Sequence, residues 1–189
     1  MNLSHTLIVA LMFVTIISFG LVNILSSFSS VLNINSKVKA SLIHLHWIGI
    51  LLIVHFNLAW SAVLITSKDT WGYFEFLFLV SGPIVAFFAS SVITPGVIDQ
   101  DDPGAPQKQY FSIVRQFFSL FILIQLWAIG TDFLLQDDLT GSSLFNVVLI
   151  VLCVILIKIQ KQSLHRYGLI LAWGISLAAI ILRGFDFIN

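Results

Sequence analysis

The sequence predicts an all-α fold, a polytopic integral membrane bundle of six transmembrane helices, on three observations. The 189 residues are 58% hydrophobic and only 10% charged, with mean hydropathy +1.02, against roughly 45–50% apolar content in soluble domains. The apolar residues fall into long continuous runs, whereas strands of a membrane barrel are about 10 residues of alternating polarity. Most charges sit between the runs. A backbone in lipid must satisfy its own polar groups, which helices do within each segment.

The runs lie near 6–32, 41–65, 73–93, 110–135, 143–159 and 167–187, in a single domain over 1–189. At about 1.5 Å per residue each spans, or nearly spans, about 30 Å of hydrocarbon. The first begins without Lys or Arg in Met1 to His5 and is too long for a signal h-region, so it reads as a permanent helix. It carries Gly20, Asn23, Ser27 and Ser30 at spacings of three, four and three, a stripe expected to serve close helix packing. The third run holds Ser81-Gly82-Pro83 near its middle, where proline removes a donor and a kink or opened carbonyl is expected. The fourth holds Gln125 at mid-depth and Arg115 about one turn inside its start.

The fifth run has little polarity beyond Asn146 and Cys153, so it is expected to face lipid or a partner subunit. A lone cysteine excludes an intrachain disulfide and reads as a packed small hydrophobe. Gly174 and Ala178 in the sixth run form a small-xxx-small pair, a helix contact within or between chains. Trp71, Tyr73, Tyr110, Trp127 and Tyr167 are expected in the interfacial belts. The connection over Pro95 to Gln107 contains Asp99 to Asp102, read as a solvated turn because it lacks the spacing of a calcium loop. LAWSAVLI in the second run and LAWGISLAAI in the sixth echo each other, but their helices run the same way, so no inverted repeat follows.

Basic residues near helix ends are retained on the cytoplasmic side. Lys37, Lys39, Lys108, Arg115, Lys158, Lys161 and Arg166 fall on one side of a six-span thread, with Lys68 and Arg183 on the other. Both termini are therefore expected outside. Balanced charge, nine basic against nine acidic residues, gives no footprint for nucleic acid.

The second run, Ser41 to Ser61, puts three histidines and an asparagine into a membrane segment, where such residues need a reason. His44 and His55 are eleven residues apart and share a face to within about 20°, and His46 and Asn57 repeat that spacing on the other side. Polarity on two faces predicts a helix at the centre of the bundle or beside a cavity. His44 and His46 diverge by about 160° and do not chelate one ion, so no metal is assigned. No cofactor is assigned either.

Two candidate sites and one ion pair follow. His55, Asn57, Gln125, Ser81 and Asn23 form a midplane group for a ligand or ion path, against the plainer reading of interhelical hydrogen bonds. His44, His46 and Arg115 form a cytoplasmic group for an anionic headgroup or substrate, against the plainer reading of interfacial anchors and a snorkelling arginine. Asp132 and Arg183 are expected to pair and lock the fourth helix to the sixth.

His46-Trp47 opening the second helix, followed by Val54-His55-Phe56 and Trp60, then Ala89 to Pro95, Tyr110-Phe111 and Arg115 to Phe118, resemble a group of small bacterial six-helix membrane proteins without an assigned activity. Ala59-Trp60 departs from the aromatic pair expected there. The resemblance covers helices one to four and implies a bacterial inner membrane and this topology.

Function stays open among three classes. The first is a small transporter or channel-type bundle, oligomeric if one chain is too small for a conduit. The second is a non-catalytic membrane partner or sensor whose polar residues specify packing. The third is a membrane-embedded lipid or quinone enzyme, disfavoured because the chain lacks a GxSxG elbow, an HExxH, a Walker loop and any intramembrane acidic pair.

Overall fold

The computed structural model describes residues 5–33, 38–65, 71–97, 102–136 and 141–186. It is all-helical, with α1 (His5–Leu32), α2 (Leu42–Ile65), α3 (Tyr73–Ile93), α4 (Ala105–Gln136), α5 (Gly141–Lys158) and α6 (Gln162–Asp186). Helices α1 to α4 and α6 are long and apolar enough to cross a membrane, as in a multi-pass membrane protein. The described apolar stretch of α5, Ser143–Lys158, is shorter, so the expected count of six spans is met in helices but only five have clear spanning length.

Two helices begin five residues before their apolar runs, because hydropathy does not register polar helix formers. At α4 the Asp102 carboxylate accepts the Gly104 N–H at 2.8 Å and the Asp102 carbonyl accepts the Ala105 N–H at 3.0 Å. This turn starts the helix ahead of Gln107, Lys108 and Gln109. At α6 the early start makes His165 helical and turns it inward, fully buried. Asp99 to Asp101 lie outside the described residues.

Packing runs round a ring: α1 on α3, α3 on α4, α4 on α5, α5 on α6, α6 on α2, and α2 back on α1. Helix α2 also touches α3 and α4, and so meets more helices than any other element. Its buried residues Ile43, His44, Trp47, Ile48, Ile50, Leu51, His55 and Leu58 accordingly cover a wide arc. His46 and Trp60 are exposed, so the second polar face of α2 is only partly enclosed. Helix α5 is less lipid-facing than expected, since Asn146, Leu149, Leu152, Cys153 and Leu156 turn inward while Val147, Val151 and Val154 turn out. Gly168 of α6 sits against Leu152 and Leu156, which makes α5 and α6 an antiparallel pair. Around Gly174 nothing lies within 4 Å, so the small-residue pair of α6 makes no close contact there.

The tightest helix contact joins α3 and α4. A Cβ built at Gly82 would overlap the Trp127 indole, and one at Gly130 would meet Phe78 at 2.7 Å. The Trp127 ring lies between Phe13 and Phe78, with centroids at 6.3 and 6.4 Å. Its Nε1–H donates to the Phe78 carbonyl at 2.8 Å, which also accepts from Ser81 Oγ at 2.6 Å. These bonds fall one turn before Pro83, where the helix ladder loses a donor. Trp127 is thus buried core and not a belt residue; Tyr110, 1% exposed, is corrected in the same way.

The end of the bundle that carries most basic residues is tied across helices. Val38 and Val97 form an antiparallel bridge between two connectors. Lys108 Nζ lies 2.7 Å from Asp102 Oδ2. That bond, then the Gly104 N–H, holds the Asp102 carboxyl below the usual carboxylate range.

Substituting Gly82→Ala forces the indole aside and is expected to destabilise the fold by about 1–3 kcal/mol, typical of overpacking. A melting temperature in detergent equal to that of the parent would contradict this. Because the Asp102 pKa is depressed on folding, its contribution is present above its ordinary value and is lost as pH falls through the folded one. Amide exchange of Lys108 N–H, corrected for intrinsic rate, should therefore lose protection only below about pH 4. In Asp102→Asn that acid step should disappear.

Candidate functional site

A pocket of about 90 Å³ opens between α2, α4 and α5. Its polar lining comprises Asn57 and Ser61 from α2, Gln125, Thr131 and Asp132 from α4, and Asn146 from α5, with Val54, Leu58, Ile124, Trp127 and Ala128 as apolar wall. Each helix supplies these at helical spacing: Asn57 and Ser61 are four apart, and Gln125, Ala128 and Thr131 follow at threes, so each set shares a face.

The hydroxyls are used locally. Ser61 Oγ donates to the Asn57 carbonyl at 2.9 Å, and Thr131 Oγ1 donates to the Trp127 carbonyl at 2.9 Å. Ser143 Oγ donates to Asp132 Oδ2 at 3.1 Å. The carboxamides differ, since among the described residues none hydrogen-bonds the Asn57 or Gln125 side chain. Gln125 is 4% exposed, and Asn146, 9% exposed, has a buried Nδ2 without a partner. Buried amides are ordinarily satisfied.

The expected midplane group is therefore divided. Asn57 and Gln125 meet in the pocket, but His55, Ser81 and Asn23 do not line it. His55 Nδ1–H donates to the Leu51 carbonyl at 2.9 Å, and its ring fills the space left by Gly20 on α1. Ser81 bonds Phe78 in its own helix. Asn23 Nδ2 donates to Ser90 and Ser91 of α3 at 3.3 and 3.0 Å, and Ser27 Oγ donates to Thr94 at 3.0 Å. The α1 stripe thus packs on α3.

The expected cytoplasmic group is also divided. His44 is fully buried and its Nε2–H donates to the Ile93 carbonyl at 2.5 Å, satisfying the last residue of α3. His46 is exposed beside Trp173, with ring centroids 6.3 Å apart, and Arg115 is exposed. A buried imidazole does not share a headgroup with an exposed guanidinium, so these three make no common site. Asp132 lines the pocket, but the Arg183 side chain lies outside the described residues.

Three helix starts and ends meet in a cluster that the sequence did not reveal. Tyr110 Oη and His165 Nδ1 are 2.8 Å apart, both buried, linking α4 to α6. His44 flanks Tyr110 at 5.9 Å, and Trp47 packs on Phe117, Phe118 and Phe121. Among the described residues no group of His, Cys, Asp and Glu is placed to hold a metal ion. His165 was hidden because it stands among Lys161, Arg166 and polar neighbours, outside the apolar run. Ser61, Thr131 and Asn146 were visible as polar positions, and phase on α2 and α4 was the signal that could have joined them.

Fold and pocket together define a multi-pass helical membrane protein with a carboxamide-lined pocket inside one chain. Comparison with protein-family models, curated proteins and solved structures finds no match.

The Tyr110–His165 bond ties α4 to α6 beside ring contacts of His165 with Phe111 and Phe118. Tyr110→Phe leaves a buried imidazole nitrogen without its partner and is expected to cost about 1–3 kcal/mol. In a cycle with His165→Phe, the two losses should be less than additive; strict additivity in detergent melting would show the bond contributes nothing.

Proposed function

We propose that this protein binds and passes a small polar solute across a membrane, with the pocket between α2, α4 and α5 as the holding site. The observation that carries this reading is that carboxamide residues from three helices, without side-chain partners among the described residues, line one cavity in an apolar bundle. Polar groups placed at membrane depth are costly and mark solute pathways where they do not merely pack. The pocket is built within one chain, so the reading needs no oligomer.

The same proposal includes six spans. Helix α5 has 18 residues, about 27 Å at about 1.5 Å per residue, and it returns the chain to the basic end before α6 runs back antiparallel to it. That end faces the cytoplasm, both termini face outward, and the membrane is the bacterial inner one. A second reading, a non-catalytic partner or sensor, is favoured by Asn23 and Ser27, whose side chains serve α1–α3 packing. Nothing brings His44, His46 and Arg115 together for the enzyme reading.

In proteoliposomes, solute entry followed by stopped-flow scattering should exceed that of protein-free vesicles. Gln125→Leu should lower it about tenfold, the equivalent of about 1.4 kcal/mol of lost contact, with melting unchanged. If no solute or ion enters faster than in empty vesicles, and Gln125→Leu changes melting alone, the packing reading replaces this one.

A further inference from the structure

The chemistry of the pocket narrows the solute, on the reading that this pocket is where it is held. We propose that it takes a small uncharged solute whose neighbouring atoms both donate and accept hydrogen bonds, of the urea and short carboxamide class. Asn57, Gln125 and Asn146 each offer one acceptor oxygen and two N–H donors. They approach from three helices, so a solute among them meets donors and acceptors on several sides. Asn146, like Gln125, is more than nine-tenths buried, and its Nδ2 has no partner among the described residues.

The hydroxyls add the opposite polarity. Ser61 and Thr131 commit their hydrogens to the Asn57 and Trp127 carbonyls, leaving oxygen lone pairs as acceptors for solute N–H groups. Size agrees: about 90 Å³ holds about three water molecules at about 30 Å³ each, enough for a solute of a few heavy atoms. The lining contains no Lys, Arg or His, so an anion would stand without a counter-charge. Asp132, the carboxylate of the lining, favours a cation over an anion, but it already accepts from Ser143 Oγ and is not free, so potassium is the comparator that decides.

The test uses the full chain in proteoliposomes, with urea and acetamide as probes and glycerol and potassium as comparators. Urea and acetamide should enter faster than in empty vesicles, and Gln125→Leu and Asn146→Leu should each cut that rate about tenfold. Phe56→Ala, on the exposed side of α2, should leave it unchanged. Each variant is checked by melting and size-exclusion; Gln125→Asn, which retracts the amide by one methylene, replaces Gln125→Leu if the latter does not fold. Potassium entry that Gln125→Leu abolishes, with urea at the empty-vesicle rate, overturns the uncharged class and leaves the conduit standing. Passage of water alone does the same. If no probe enters faster than in empty vesicles, both readings fall.

Discussion

The seating of Trp127 against Gly82 sets the geometry on which the rest of the bundle depends. Lipid tails are as apolar as leucine, so helices in hydrocarbon are held by close packing and hydrogen bonds and not by exclusion from water. Trp127 supplies both, through its fit over a residue without Cβ and its N–H to the Phe78 carbonyl. Phe13 extends the stack to α1. With Trp127 turned towards α1 and α3, the rotation of α4 is fixed. Gln125, Ala128, Thr131 and Asp132 are then left to line the cavity facing α2 and α5.

Polar side chains in this bundle serve two different ends. Asn23, Ser27, Ser90, Ser91 and Thr94 join α1 to α3 through one another, and His44 completes the end of α3. Such bonds between transmembrane helices contribute on the order of 1 kcal/mol each. Gln125 and Asn146 are buried and Asn57 half-buried, and none has such a side-chain partner among the described residues. His44, His55 and His165 each keep one ring nitrogen without a partner as well, so what sets the three carboxamides apart is that they line one cavity.

Much of the architecture was legible because apolar run length reports helices directly. The central place of α2 was legible from His44, His46, His55 and Asn57 standing on two faces. Helix starts at Ala105 and Gln162 were not, since polar first turns look like loops. The site was half legible. Gln125 and Asn57 stood out by depth, but depth does not say which way a side chain turns. His55 has the same depth as Asn57 and packs instead on Gly20. Tyr110 and Trp127 were misread because an aromatic residue near a run's end suits a belt and a core equally well.

The Val38–Val97 bridge gives the molecule unequal ends. It clasps the connector before α2 to the one after α3, and His44–Ile93 and Tyr110–His165 lie close behind it. At the opposite end Ser143 Oγ bonds Asp132 beside the pocket, and Thr6, Trp60, Trp71 and Glu75 are engaged as well. The clasp joins two connectors and not two helices, so it holds α2 in register with α3 from beyond their ends. None of the bonds at the clasped end uses a residue that lines the pocket, so that end and the cavity wall are separate parts of the molecule.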